Sequence, residues 1–476
     1  MYSPALPGPF APSVSTLEER SRKRRGTKCT AHGTHGRPAA ILCFMNYVRV
    51  THLGAVSLLL LLGACGPTSD LFIETVVPAD SATGLETTLI VHGEQFQPNA
   101  RIHLEHGGST SVVVLPSHVN EDGTTAAALV PSGMEAGTYD VTLVNKGGTS
   151  RTHQHAFTLY DGGVEITFLD VGQGDSTFVR SPRGDSLLKD AGTPEAGETA
   201  VIPFLSRLGA LPPTHIITSH RHNDHMGGVV EILEGPNGEP GTSNDHHPHG
   251  LLLHNRDSPP CDTLICKRYE AAAGVAGARP AELGETISLG AGVEVEVVAV
   301  NGALLGGITL DPGDEESLEG ENASSVAVVI TFGDLRVFVG GDLTGGGNET
   351  VDMETPLSAA IAPIHVLRVN HHGSATSTNE SFLHNLEPAA SVVSAGLDNP
   401  HCHPHRSVMK RLQSVGAHIF LTTPGIVDAV ATGCGEPTFM PPGAVPEHGH
   451  IRMESTDGRS YQIGPLEGEL IELWVE

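Results

Sequence analysis

Apolar and polar positions change their rhythm along this chain, and the changes divide it into regions. Residues 71–161 alternate apolar and polar positions in short runs, with turn residues at regular intervals. Examples are Thr88-Leu89-Ile90-Val91-His92-Gly93, Ser111-Val112-Val113-Val114-Leu115 and Gly137-Thr138-Tyr139-Asp140-Val141-Thr142-Leu143. A period of two puts successive side chains on opposite faces, so these runs predict half-buried strands of a small all-β sandwich. From residue 162 to 476, strand-like runs alternate with helix-like runs, which predicts an α/β domain. Residues 164–169, 176–180 and 215–218 read as strands, 200–208 as a helix, and 227–233 as the start of another. Residues 326–332 and 336–339 read as a hairpin around Gly333-Asp334. Two inserts, 235–260 and 425–448, are rich in Gly and Pro and are expected to be surface loops.

The first residues follow neither rhythm. Residues 1–44 are basic and lack apolar periodicity. After Met45, Arg49 supplies a positive charge ahead of an apolar run over 53–62, and Leu62-Gly63-Ala64-Cys65 follows. The run is too short to span a bilayer and reads as the core of a signal peptide. Small residues before a cysteine resemble the bacterial lipoprotein box, in which Cys65 becomes the lipidated first residue; a chance cysteine after a plain signal peptide is the blander alternative. The expectation is a leader over 1–64 (with Met45 as an alternative start) and a tether over 65–70. The protein would then be exported and held to the cell envelope, periplasmic or at the cell surface, by a lipid anchor alone.

Export bears on the cysteines. Cys261, Cys266, Cys402 and Cys434 remain beyond the leader, and an oxidising compartment favours disulfides. Cys261–Cys266 would close a small loop and Cys402–Cys434 would join two distant segments; zinc binding by Cys261 and Cys266 is the weaker alternative. The formal net charge of −28 opposes passive nucleic-acid binding, although bound cations can reverse the sign locally.

The chemistry concentrates in Ser219-His220-Arg221-His222-Asn223-Asp224-His225-Met226-Gly227-Gly228, directly after a predicted buried strand. Residues two apart at a strand end can share one side, so His220 and His222 could grip one cation. Asp224 and His225, on the following turn, could grip a second beside it. Imidazole and carboxylate suit zinc, with manganese or iron as alternatives. A histidine-rich surface loop is the bland reading, and the flanking apolar strand and Gly-Gly helix start argue against it.

This H-x-H-x-D-H pattern resembles that of the metallo-β-lactamase superfamily. Further motifs resemble its ComEC/Rec2-related branch: Phe168-Leu169-Asp170-Val171-Gly172-Gln173-Gly174-Asp175-Ser176, Lys189-Asp190-Ala191-Gly192, the polar pair Asn322 and Ser325, and Val339-Gly340-Gly341-Asp342. Val369-Asn370-His371-His372-Gly373-Ser374 and the run from Asn399 through His403-Pro404-His405 complete the series. The resemblance implies a four-layer αββα fold and a site with two divalent metal ions. Asp342 would bridge the ions, and His371 or His372, undecided by spacing, would complete the second. Asp224 and His403 would be catalytic, with His403 donating a proton or binding anionic oxygens. Asn322, Ser325, His405, Asp170 and Asp190 would contact substrate or orient the ligands. The residues before 162 resemble an IPT/TIG-type immunoglobulin-like domain through Val77-Pro78, Gly93-Glu94-Gln95-Phe96, Val130-Pro131 and Gly137-Thr138-Tyr139, which implies a spacer.

Histidines between the first motif and Asp342 fall in or beside an insert (His246, His247, His249 and His254), whereas Asn322 stands near the expected ligand region. That weakens a β-lactamase or thioesterase reading. It favours an extracytoplasmic hydrolase of phosphodiester or phosphoester bonds, with single-stranded DNA among the candidate substrates. The alternatives are a choline- or lipid-headgroup phosphoesterase acting on envelope polymers, and a non-enzymatic surface-binding lipoprotein. No channel of membrane helices accompanies the hydrolase region.

Overall fold

The computed structural model describes residues 70–106, 112–256, 263–313 and 317–475. All described residues belong to one compact unit. Cys65 and Cys261 lie outside the described residues, as does the expected leader.

Ahead of residue 162, two sheets share one core. A four-stranded sheet orders Phe72–Val77, Thr87–Glu94, Thr125–Val130 and His118–Val119. A five-stranded sheet orders Asp80–Ala82, Ser150–Tyr160, Gly137–Val144, Arg101–His106 and Val112–Pro116. The alternation read from the sequence fixes which side chains meet: Leu89 and Val91 of one sheet are buried with Ile102, Leu104, Val141 and Leu143 of the other. Asp80 ties this region to the next, accepting from the Ala291 N–H at 2.5 Å and pairing with Arg183 at 2.9 Å.

Two larger mixed sheets make up the rest. The nine-stranded sheet runs Arg279–Pro280, Leu252–His254, His215–Ile217, Ser186–Lys189, Thr177–Arg180, Val164–Phe168, Ile451–Ser455, Ser460–Pro465 and Ile471–Trp474. In the ten-stranded sheet, Val293–Val300, Ala327–Phe332, Leu335–Val339, Val366–Arg368, Ala390–Val393 and His418–Leu421 lie in that order between shorter edge strands. Both sheets contribute to one core: Ile166, Phe168, Val179 and Ile217 pack with Val295, Val328, Val337 and Val366. Neighbouring residues face opposite ways, as the pleat requires. Ile217 enters this shared core, whereas Ile216 packs with Val229, Leu233 and Tyr269 of the helices Asn223–Glu234 and Leu264–Val275. Fully burying each isoleucine contributes about 2 kcal/mol. Helices Glu380–Leu386 and Arg406–Ser414 pack with Phe338 and Leu367 of the ten-stranded sheet.

Two expectations need correction. Residues 235–260 are not all surface loop, because Leu252–His254 is a buried strand pairing in parallel with His215–Ile217. Three apolar-flanked residues at the end of a Gly- and Pro-rich stretch give too short a pattern to register. Likewise, residues 425–448 contain a short helix, Ala429–Thr432, and a short edge strand, Val445–Pro446. The hairpin is as read, with Ala327–Phe332 and Leu335–Val339 antiparallel.

Parallel strands bring their carboxyl ends to one rim. Ser186–Lys189 pairs in parallel with His215–Ile217 in one sheet; Leu335–Val339 pairs in parallel with Val366–Arg368, and that strand with Ala390–Val393, in the other. The segments leaving these ends carry Asp190, His220, Asp342 and His371. Crevices at the carboxyl ends of parallel strands are where α/β folds gather polar loops.

Candidate metal centre

The first histidine motif is shaped by an abrupt strand-to-helix transition. Strand His215–Ile217 ends in buried Thr218 and Ser219, and His222 adopts an extended conformation as the N-cap of helix Asn223–Glu234. Asp224 and His225 therefore sit in the first helical turn, rather than on a free turn, and Asp224 opposes the positive end of the helix dipole. Gly227 and Gly228 let that helix touch the loop after Asp190. A Cβ at Gly227 would lie 2.3 Å from the Pro194 nitrogen, and one at Gly228 2.2 Å from the Ala191 carbonyl oxygen.

Asp342 is the hub. Its carboxylate oxygens lie 3.2 Å from His225 Nε2, 3.6 Å from both His371 Nε2 and His372 Nε2, and 3.9 Å from His220 Nε2. Asp224 approaches His372 Nε2 at 3.2 Å, and His220 Nε2 lies 2.9 Å from His222 Nδ1. Two sets of ligand atoms draw together, His220 with His222 and Asp342, and Asp224 with His225 and His372. A third set replaces Asp224 and His372 by Asp175 and Asp342 around His225. Of the two adjacent histidines, His372 joins a set and is buried. His371 is partly exposed, and its Nε2 lies 3.5 Å from Asn322 Nδ2.

Supporting groups orient these rings from behind. Asp190 receives the Ser219 N–H at 2.6 Å and faces His225 Nδ1 at 3.1 Å, while buried Lys189 lies 3.4 Å from it. Ser325 Oγ accepts from the Asp342 N–H at 3.2 Å and lies 3.4 Å from His220 Nδ1. Thr376 Oγ1 lies 2.9 Å from His371 Nδ1, and the Ser394 carbonyl oxygen 3.1 Å from His372 Nδ1. Such contacts to the second ring nitrogen fix the tautomer and leave Nε2 toward the cluster.

Charge and burial pull against each other here. Burial would raise the Asp342 and Asp224 pKa values, yet the neighbouring imidazoles, His225 foremost, hold both below the usual carboxylate range. Burial would lower His225, but Asp342, Asp224 and Asp190 raise it well above an ordinary histidine. His220 and His222 are lowered, first by burial, and His371 falls to about 4 for the same reason. Several converging atoms have no hydrogen bond: His225 Nε2, His372 Nε2 and Asp342 Oδ1 are all buried without one. His225 Nε2 and Asp342 Oδ1 stand 3.2 Å apart yet lack hydrogen-bond geometry. Unmatched buried lone pairs on imidazole and carboxylate are costly in water-free surroundings and suit a divalent cation. The donor set therefore fits metal binding.

A cavity of about 620 Å³ opens onto these atoms, lined by His222, Asp224, Asn322, Asp342, His371, His372 and His403 among others. His403 is held by Asn399, whose side chain accepts the His403 N–H at 3.0 Å and donates to its carbonyl at 2.7 Å. Burial, followed by the neighbouring His372 and His371, pushes His403 down to about 2, so its ring is neutral at pH 7. His405 does not line this cavity; its Nδ1 accepts the Ala375 N–H at 3.0 Å and braces the loop after His372. Asp170 is not brought to the cluster: its N–H donates to His450 Nδ1 at 2.9 Å, and its side chain accepts the Gly172 N–H. The disulfide Cys402–Cys434 is present, directly beside His403. Cys266 is also disulfide-bonded.

Some participants were not singled out from the sequence. Ser219 lies 3.0 Å from His220 Nδ1, Arg368 pairs with Asp175, and Glu321 accepts the Arg221 N–H at 2.7 Å. Arg368 carried a signal, being a charge at the end of an apolar strand. Ser219, Glu321 and Thr376 carried none beyond proximity to a motif.

Residues 169–396 match the Metallo-beta-lactamase superfamily. This span, just under half of the chain, is similar to metallo-β-lactamase domains. Three curated relatives align across it. ComE operon protein 3 of Bacillus subtilis (strain 168) is 27% identical over 281 residues, covering 54% of this chain and 32% of that protein. Competence protein ComA of Neisseria gonorrhoeae is 27% identical over 257 residues, covering 54% and 30%. Recombination protein 2 of Haemophilus influenzae is 27% identical over 259 residues, covering 52% and 26%. These similarities support the ComEC-like branch of the metallo-β-lactamase fold, although the chain spans only 26–32% of the relatives' lengths. Among the described residues no helix is long and apolar enough to cross a membrane.

Proposed function

We propose that this chain is an exported, metal-dependent hydrolase that cleaves phosphodiester or phosphoester bonds at a two-cation site. The reading rests on one observation: nitrogens and carboxylate oxygens from four separate segments, that of Asp342 included, converge at one place, several of them buried without hydrogen bonds. His220 and His222 would hold one ion, Asp224, His225 and His372 the other, and Asp342 both. Bound divalent cations, zinc first and manganese or iron as alternatives, supply an ionised water at neutral pH and offset charge on the scissile group.

The chain's own residues do the rest. Asp190, Ser219, Ser325 and Thr376 hold the imidazoles in one tautomer and orientation. Asn322 and His371, at the cavity wall, would bind a non-bridging oxygen of the ester. His403, neutral through burial, would donate a hydrogen bond to substrate oxygen rather than act as an imidazolium acid. In the hydrolysis a water oxygen adds to phosphorus, the ester P–O bond breaks, and the departing oxygen takes its proton from solvent.

The wider organisation belongs to the same reading. The two large sheets and their flanking helices form a four-layer αββα arrangement over 162–476. Residues 71–161 form an IPT/TIG-like immunoglobulin-type spacer, and a tether over 65–70 carries a lipid on Cys65 after removal of 1–64. Cys261 pairs with Cys266. The test is metal analysis of the purified full chain, followed by assay on bis(p-nitrophenyl) phosphate, a phosphomonoester and single-stranded DNA. Stoichiometric divalent metal with chelator-sensitive turnover of at least one ester is expected; fully metal-loaded protein inert on all three defeats the proposal.

A further inference from the structure

The metal-site cavity does not stand alone. Thr193 lines both it and a neighbouring cavity of about 520 Å³ that passes Pro194 and Leu397. Asp170 and His448 line that neighbour and also a third cavity, of about 480 Å³, beside Arg207 and His450. Shared lining residues place the three cavities side by side in a row, here called the groove, leading away from the candidate metal centre.

The groove's formal charge is almost all of one sign. Glu319 stands in the first cavity beside the site carboxylates, Glu195 and Asp170 in the second, and Glu447 and Glu467 in the third. Among the described residues, Arg221 and Arg207 are the cations on these walls, and no lysine lines them. Arg221 is buried and engaged, lying 3.2 Å from Glu270 and donating to the Arg256 carbonyl. Arg207 sits at the far cavity, its guanidinium 5.7 Å from the Phe204 ring centroid. Proteins that grip a polyanion do so with several Lys or Arg on successive phosphates, and their affinity falls steeply with salt. This groove has the opposite layout, in a chain of formal net charge −28. Cations at the Asp342 cluster would reverse the sign there and nowhere else along it. One anionic group is therefore welcome at the centre, and further anionic groups along the groove are repelled.

We propose that the groove selects phosphoesters whose flanking groups are uncharged or cationic, and disfavours polyanions such as nucleic acid. The inference rests on the phosphoesterase reading and narrows its substrate class.

The test measures kcat/KM of the metal-loaded full chain on three substrates. p-Nitrophenyl phosphorylcholine has a cation that cancels its phosphate, bis(p-nitrophenyl) phosphate carries one negative charge, and a thymidine 12-mer carries many. At low salt, one or both small esters should exceed the oligonucleotide, per bond, by tenfold or more. The gap should narrow as salt screens the wall charges over a Debye length of about 8 Å at physiological ionic strength. The triple variant Glu195→Lys, Glu319→Lys, Glu467→Lys should raise the oligonucleotide-to-diester ratio of kcat/KM at least threefold. An oligonucleotide cleaved as fast as the small esters at low salt, or a ratio unmoved by charge reversal, overturns the inference while leaving the hydrolase reading intact. Failure to cleave any of the three, or a phosphomonoester, with metal bound removes both.

Discussion

The two halves of the histidine cluster reach the same carboxylate by different means. His220, His222, Asp224 and His225 come from one strand end and the first turn of the helix that follows. Their backbone is ordinary, and the core on both sides of Ile216 and Ile217 holds them in place. The other half is pieced together. His371 and His372 both adopt positive φ, 49° and 53°, in the loop after strand Val366–Arg368, and His403 arrives from another loop. Left-handed backbone at residues bearing a Cβ costs on the order of 1 kcal/mol each and persists only when the surroundings enforce it. Here the enforcement is visible. Buried Glu354 accepts from Asn370 Nδ2 at 2.7 Å, from the Thr378 N–H at 2.6 Å and from the Asn379 N–H at 2.8 Å, gripping both ends of the loop. Asn399 and the Cys402–Cys434 disulfide do the same for His403. The compact motif takes its backbone path from one strand and helix and needs distant groups only to orient its rings; the distributed one depends on distant braces for its backbone as well.

The shared carboxylate offers the hardest test of that contrast. Asp342→Ala should disable both halves together, removing bound metal and slowing turnover by about 10³-fold or more, roughly 4 kcal/mol of barrier. Elemental analysis beside kinetics checks it; a variant that keeps its metal and its rate shows that Asp342 is not the hub.

Cutting a brace should be gentler and one-sided. The Cys402–Cys434 bond spans a sequence separation of 32, for which chain entropy suggests about 4 kcal/mol of stability. Cys402→Ser, in a background with Cys434→Ser, should lower the denaturation midpoint accordingly and raise KM through His403. The first metal should still bind to His220 and His222. Equal loss of both metals in a titration would show that the halves are not separable.

The Glu354 brace adds a pH signature. Burial, against its three N–H donors, raises this carboxyl from 4.5 to about 7. The folded protein thus binds the proton more tightly than the unfolded chain does. The stability this group contributes is complete below pH 4.5 and is lost as pH rises through about 7, on the order of 3 kcal/mol. Thermal unfolding of chelated protein between pH 5 and 8 should show that decline, and Glu354→Gln should flatten it. An unchanged slope in the variant would assign the decline to other groups.

Periodicity and motif spacing carried the strands around residues 164–180 and 215–217, the hairpin at Gly333, and the histidine motif beginning at His220, because each is set by contacts within a few residues. The short strand Leu252–His254 escaped that reading, since three residues hold no period. Sequence nominated His371 and His372 together without separating them. Their backbone and their Nε2 distances to Asp342 are nearly alike, and the separation comes from contacts to Asp224 and Ser394, supplied by other segments, and to Thr376 of the same loop. Glu354 was equally illegible, as one carboxylate among 55 acidic residues until folding buries it beneath a loop. What the chain determined unaided was the alternation of its elements and the identity of its metal-seeking side chains, because pattern and donor chemistry are local properties. Which lone pairs face each other, and which carboxylate is brace rather than ligand, was decided only when parallel strand ends from two sheets met at one rim, because those relations are long-range distances that no stretch of sequence contains.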